Sequence, residues 1–216
     1  MMDLAPLIDH TFLKPDGDRD AVAKLCREAK EHGFASVCVN PAEVPLAASL
    51  LADAAPKVCT VIDFPLGQST TAARTAEAVD AIDNGADELD LVVNQRLLKH
   101  DPEACGNDLS TFAVTARARR RDVVLKLILE CCNLTRDEIV LGARLAKKAG
   151  FDFVKTSTGF AKGGATVEDV KLMRETVGPK MGVKAAGGIR DRETALAMIA
   201  AGATRLGCSA GVAICS

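Results

Sequence analysis

Tryptophan and tyrosine are absent from this 216-residue sequence, and seven phenylalanines supply the whole 3% of aromatic content. Alanine, valine and leucine must therefore fill the core, which suits helices packed on a parallel sheet. No window approaches about 18 uncharged apolar residues, so no membrane span is expected. The opening Met1-Met2-Asp3-Leu4-Ala5-Pro6 lacks the basic and apolar regions of a signal peptide. Neither sign of charge dominates. The formal net charge is −2, which gives no support to a basic surface for nucleic acid. The one basic cluster, Arg117-Ala118-Arg119-Arg120-Arg121, reads as a solvated helix end. No Cys-x-x-Cys occurs, and His10, His32 and His100 fit no metal motif. The eight cysteines are then free thiols, and the expected compartment is the reducing cytoplasm.

What is present is a repeating pattern. Short aliphatic runs occur at 7–10, 36–39, 58–62, 88–93, 123–129, 153–156, 182–185 and 204–207. Residues 20–32, 71–84 and 192–201 carry helical spacing. Thr135-Arg136-Asp137-Glu138 and Thr166-Val167-Glu168-Asp169 read as capping boxes opening two more helices. Gly33, Gly85, Gly150 and Gly202 each close a helix just before a strand, a position suited to the left-handed conformation. No linker or low-complexity stretch divides the chain, so residues 1–216 are expected to form one domain. Alternating strands and helices imply an α/β fold with a parallel sheet and right-handed crossovers. Eight units would close a (β/α)8 barrel. An open doubly wound sheet is the alternative, but the Gly-x-Gly-x-x-Gly loop that usually accompanies it is missing.

Alternation along the strands puts unexpected residues inside. With Leu89, Leu91 and Val93 facing the helices, Glu88, Asp90, Val92 and Asn94 point inward. By the same rule Lys126, Ile128 and Glu130 point inward, as do Lys155 and Lys184. The lysines are spaced at a constant interval of 29 residues (155 − 126 and 184 − 155), which predicts similar heights on neighbouring strands. A merely structural barrel interior uses valine, isoleucine and leucine. A single strand lysine is explained by a salt bridge, for Lys126 with Glu88 or Glu130. Two lysines facing each other need another reason. A second ammonium nearby disfavours the charged form, and burial acts in the same direction. The neutral amine can attack a carbonyl and form a Schiff base, while Asp90 shuttles protons. The pattern therefore points to class I aldolase chemistry, with the choice between Lys155 and Lys184 as nucleophile left open.

Three loops are suited to an anion. Ala186-Gly187-Gly188-Ile189-Arg190 follows the Lys184 strand, and Gly207-Cys208-Ser209-Ala210-Gly211 follows the last one. Loops after the seventh and eighth strands are the usual phosphate site of such barrels. Arg190 alone reads as a surface residue. Gly159-Phe160-Ala161-Lys162-Gly163-Gly164 reads as a rim loop carrying a cation.

These residues make the chain similar to the deoxyribose-phosphate aldolase family over nearly its whole length. The resemblance rests on Ile8-Asp9-His10-Thr11-Phe12-Leu13-Lys14-Pro15, Val37-Cys38-Val39-Asn40-Pro41, Phe64-Pro65-Leu66-Gly67 and Gly85-Ala86-Asp87-Glu88-Leu89-Asp90. It rests most specifically on Lys155-Thr156-Ser157-Thr158-Gly159-Phe160, on residues 163–170, and on Gly182-Val183-Lys184-Ala185-Ala186-Gly187-Gly188-Ile189-Arg190. It implies a TIM barrel with a short N-terminal segment. It implies reversible cleavage of 2-deoxy-D-ribose 5-phosphate to D-glyceraldehyde 3-phosphate and acetaldehyde, in deoxyribonucleotide catabolism, with no metal and no organic cofactor. On the family pattern Lys155 is the Schiff-base lysine, Asp90 the proton donor and acceptor, and Lys184 the lysine that tunes Lys155. Lys126 is implied to line the same pocket, and Gly187, Gly188 and Ser209 to cradle the phosphate. A homo-oligomer is a further expectation. The chain departs from the pattern at Cys208-Ser209-Ala210-Gly211, where the family resembles Thr-Ser-Ser-Gly. It departs also at Asp63, where a glycine is common, and at Gln95-Arg96. The lost hydroxyl keeps an aldolase for unphosphorylated substrates as an alternative, beside a non-catalytic sugar-phosphate binder.

Overall fold

The computed structural model describes residues 2–17 and 19–216. A short 3-10 turn, Ala5–Leu7, leads into β1 (Ile8–Phe12). Then come α1 (Arg19–His32), β2 (Ser36–Val39), α2 (Val44–Leu50), β3 (Lys57–Ile62), α3 (Thr71–Asp83) and β4 (Glu88–Val92). Two helices, α4 (Gln95–His100) and α5 (Pro102–Arg119), precede β5 (Val124–Ile128). The chain continues with α6 (Arg136–Ala149), β6 (Phe153–Lys155), α7 (Val167–Val177) and β7 (Gly182–Ala186). It finishes with α8 (Arg192–Ala200), β8 (Arg205–Cys208) and α9 (Gly211–Cys215). The strands close in sequence order into one parallel barrel, with β1 also paired to β8. The (β/α)8 expectation therefore holds, and each expected strand lies within two residues of an observed one.

Local chemistry sets the ends of these elements. The Thr135 hydroxyl accepts from the Glu138 N–H while the Glu138 carboxylate accepts from the Thr135 N–H, completing the expected capping box of α6. Thr166 caps α7 by accepting from the Asp169 N–H. Gly150, at φ 84°, closes α6 in the left-handed region that a side chain disfavours. Arg117 and Arg119 end α5 as expected, but they are paired rather than merely solvated: Arg117 with Asp152 at 2.9 Å, Arg119 with Asp83.

The apolar core lies between strands and helices. Leu89, Leu91, Leu125 and Leu127 are fully buried on its strand side. Each buried leucine contributes about 1.5–3 kcal/mol.

The strand register corrects one expectation. Lys155 pairs with Lys184 across β6 and β7. Lys126, however, pairs with Phe153, two residues below Lys155. A closed barrel needs its register to stagger around the circumference. Equal sequence intervals therefore do not give equal heights, and part of the stagger falls between β5 and β6.

Candidate active site

The barrel interior holds a network of charges. Its centre is Asp90 on β4, which is fully buried. One Asp90 oxygen accepts from Lys126 Nζ at 2.7 Å. The other accepts from Lys155 Nζ at 2.8 Å and from Lys184 Nζ at 2.7 Å. Lys126 also pairs with Glu88 at 2.6 Å. Glu130, its other expected partner, instead accepts from the Thr158 N–H at 3.3 Å and from the Thr158 hydroxyl, pinning the loop after β6. Asn94, also expected inward, lies past the end of β4 and caps α4 by accepting from the Leu97 N–H at 3.1 Å.

Two members were absent from the expected set. Asp9 on β1 is fully buried, pairs with Lys184, and accepts from Ser36 Oγ at 2.7 Å. Arg205 on β8 reaches Asp9 at 2.6 Å and Glu88 at 3.2 Å. The alternation rule places both inward, beside the outward Ile8 and Leu206. The aliphatic runs that mark their strands, 7–10 and 204–207, span only four residues each, which leaves the signal faint.

For Asp90, Lys126 and Lys184 burial favours the neutral form, but their charged neighbours outweigh it. Burial pushes the Asp90 carboxyl up, yet Lys126, Lys155 and Lys184 together hold it well below the usual range. Burial pushes Lys184 down, yet Asp9 and Asp90 carry it above the ordinary lysine range. Lys126 is raised in the same way, with Asp90 its strongest charged partner. Lys184 therefore stays an ammonium, held by two carboxylates rather than neutralised.

Lys155 stands apart from the other lysines. Among the described residues, Asp90 is the one carboxylate it pairs with. It also lies on the wall of a cavity of about 280 Å³ at the carboxyl ends of the strands, with Thr158, Gly187, Gly188 and Ser209. Lys126, Lys184 and Asp90 do not line this cavity; they stand beneath its floor. For Lys126 this corrects the expected place on the pocket wall, because its ion pairs draw the ammonium down toward Glu88 and Asp90. The structure thus brings Lys155 together with all three expected phosphate residues.

The loops around the cavity are tightly built. Gly187 and Gly188 have φ of 84° and 82°. A Cβ on Gly164 would lie 2.3 Å from the Gly187 carbonyl oxygen, so the rim loop needs glycine there to pack on the loop after β7. The Gly187 carbonyl accepts from the Ala165 N–H at 3.0 Å. The rim cation is not the expected one. Lys14 and Arg190 line the cavity, whereas Lys162 does not. Phe160, 55% exposed, packs edge-on against Phe64 at the mouth. Cys38 is fully buried beside Leu13, Cys59 and Val61.

A family profile described as DeoC/LacD family aldolase matches residues 4–216. The chain belongs to this family. A deoxyribose-phosphate aldolase from Brevibacillus brevis is 55% identical over 214 residues, covering 99% of this chain and 95% of the relative. One from Clostridium perfringens is 56% identical over 213 residues, covering 98% and 94%. Among solved structures, an aldolase called QR15 superposes with a TM-score of 0.93 at 39% identity, covering 100% of this chain and 95% of that one. A tetrameric deoxyribose phosphate aldolase from Aeropyrum pernix gives 0.91 at 34% identity, covering 98% and 88%.

Against the family pattern, two departures acquire a structural account. Asp63 has φ 52°, a conformation that favours glycine. Its carboxylate compensates by accepting from Ser69 Oγ at 2.8 Å and by pairing with the buried Arg74. Gln95 donates to the Leu129 and Glu130 carbonyls at 2.7 and 3.2 Å, tying α4 to the end of β5.

Proposed function

We propose that this protein reversibly cleaves 2-deoxy-D-ribose 5-phosphate to D-glyceraldehyde 3-phosphate and acetaldehyde through a Schiff base on Lys155. The observation that carries the reading is the position of Lys155: on the cavity wall, with one carboxylate at 2.8 Å. Its neutral amine attacks the substrate aldehyde carbon, and loss of water leaves an iminium. The C3 hydroxyl gives its proton to a cavity water, the iminium accepts the electron pair of the breaking C2–C3 bond, and a stabilised enamine forms as glyceraldehyde phosphate leaves. Protonation of the enamine and hydrolysis release acetaldehyde and return the amine. Asp90 moves protons at the carbinolamine steps. Lys184, a lasting cation beneath the floor, disfavours a second charge on Lys155. Lys126 holds the other oxygen of Asp90 and fixes its orientation.

Gly187, Gly188 and Ser209 hold the phosphate, assisted by the charges of Lys14 and Arg190 on the same wall. Backbone N–H groups freed by glycine, a hydroxyl and two cations form a suitable anion cradle. Rates on deoxyribose and on its 5-phosphate test this assignment. A large preference for the phosphate supports it; equal rates would favour an aldolase for unphosphorylated aldehydes, which the lost hydroxyl at Ala210 keeps in view.

The setting is read as cytoplasmic, with residues 1–216 as one barrel domain that needs no nucleic acid partner. All eight cysteines are free thiols, and no helix among the described residues is long and apolar enough to cross a membrane. Self-association follows the tetrameric Aeropyrum pernix relative and is tested by light scattering.

A further inference from the structure

The charge census of the interior is unequal. Asp9 on β1 with Glu88 and Asp90 on β4 supply three carboxylates. Lys126 on β5, Lys155 on β6, Lys184 on β7 and Arg205 on β8 supply four cationic groups. The remaining titratable side chains facing them are the thiols of Cys38 on β2, Cys59 on β3 and Cys208 on β8; the Cys59 thiol donates to Asp90 at 3.2 Å and accepts from Lys126 Nζ at the same distance. Glu130, past the end of β5, is engaged by Thr158 and forms no ion pair among the described residues, and Lys14 and Arg190 stand on the cavity wall outside the ion-paired cluster. A buried cluster is least costly when its charges cancel. Three carboxylates balance three cations, so one of the four cationic groups is better neutral. Arginine does not deprotonate in proteins. Lys184 touches two carboxylates, Asp9 and Asp90. Lys126 touches Glu88 and Asp90 and lies 3.8 Å from Asp9. Lys155 touches one. Lys155 is thus the cation of the cluster with the fewest carboxylate partners among the described residues.

We propose that Arg205 is a positioning residue for the reaction: by clamping Asp9 and Glu88 at the base of the barrel, it supplies the positive charge that lets Lys155 stand as a free amine. The geometry is specific. One guanidinium nitrogen bridges Asp9 at 2.6 Å and Glu88 at 3.2 Å, turning one oxygen of Asp9 away from Lys184 and leaving the other to it. The guanidinium lies over the Phe153 ring, its carbon 5.4 Å from the centroid, and its side chain is 16% exposed. It faces the N-terminal end of the barrel, opposite the cavity, where a residue has no access to substrate. Its influence on chemistry is therefore carried by charge and by the carboxylates it orients. This assignment rests on Lys155 being the Schiff-base lysine.

Arg205→Gln removes the fourth cation. The cluster then balances with Lys155 protonated, and the acidic limb of the pH–rate profile moves to higher pH, on the order of one unit. Glu88→Gln changes the balance in the opposite sense and moves the limb to lower pH. Arg205→Lys restores the wild-type limb. The readout is the pH dependence of borohydride-trapped acetaldehyde on the Lys155 peptide in the full-length protein, with circular dichroism of each variant. Opposed displacements for Arg205→Gln and Glu88→Gln support the assignment. Trapping that stays on Lys155 with an unmoved limb overturns it while leaving the proposed reaction intact. If Arg205→Gln does not fold, the Glu88→Gln limb decides alone. Trapping elsewhere than Lys155 in the wild-type protein overturns both.

Discussion

Lys155 and Lys184 are register partners on β6 and β7, and both donate to the same oxygen of Asp90, at 2.8 and 2.7 Å. One carboxylate oxygen thus serves two lysines of different standing. Lys184 has a second carboxylate in Asp9 and no place on the cavity wall; Lys155 has the wall and, among the described residues, no second carboxylate. The sequence interval of 29 finds this pair but not the difference between its members.

Asp90 joins the lysines to one another, so its loss has both a chemical and a structural effect. Asp90→Asn is expected to lower kcat by about 10²- to 10⁴-fold, the range for a lost general acid–base group. It is also expected to cost roughly 3–5 kcal/mol of stability, because it leaves buried ammonium groups short of a partner. Steady-state kinetics and urea unfolding measure the two effects. Near-wild-type turnover would remove Asp90 from the chemistry.

Asp9 and Asp90 are both held below the ordinary carboxylate range; burial opposes this, but the surrounding lysines outweigh it. Their unfolded value is about 3.9. They therefore contribute stability that is present above that value and disappears as pH falls through the lower folded values. Acid unfolding of the wild type should steepen below about pH 4, and Asp9→Asn should flatten that limb. Lys126 and Lys184 are raised, so their contribution is complete below about pH 10.4 and is lost only as pH rises past their folded values. A stability curve already falling between pH 7 and 9 would contradict this.

Gly164 meets the Gly187 carbonyl too closely for a side chain. Gly164→Ala should push the rim loop off the loop after β7, raise KM for the phosphorylated sugar, and cost about 1–3 kcal/mol. Gly188→Ala meets nothing within 4 Å but must adopt φ 82°, so its cost is backbone strain of about 1–2 kcal/mol. Unchanged KM in Gly164→Ala would show that the two loops do not jointly shape the phosphate end of the cavity.

The aliphatic runs made the barrel legible, because strands buried on both faces leave short, distinctive stretches such as Glu88–Val92 and Val124–Ile128. The helices were less visible. Only the basic C-terminal end of α5 was expected, although the helix is 18 residues long. Its buried face of Cys105, Leu109, Phe112, Ala113 and Ala116 is interrupted by Gly106, Asn107, Ser110 and Thr111, which are poor helix formers. The short α2, α4 and α9 offer too few turns to establish a period. At the site, the aliphatic runs 88–93 and 123–129 revealed Asp90 and Lys126. Asp9 and Arg205 escaped because the runs 7–10 and 204–207 present only four residues each. The depth of Lys126 depends on barrel stagger, which one strand's pattern does not contain.

The central claim is that Lys155 forms the Schiff base. Incubation with acetaldehyde, reduction with borohydride, digestion and mass spectrometry test it most directly. The account predicts one ethyl adduct, on Lys155, which is lost in Lys155→Ala while the circular dichroism of that variant stays native. An adduct on Lys184 or Lys126, or no specific adduct at all, would contradict it.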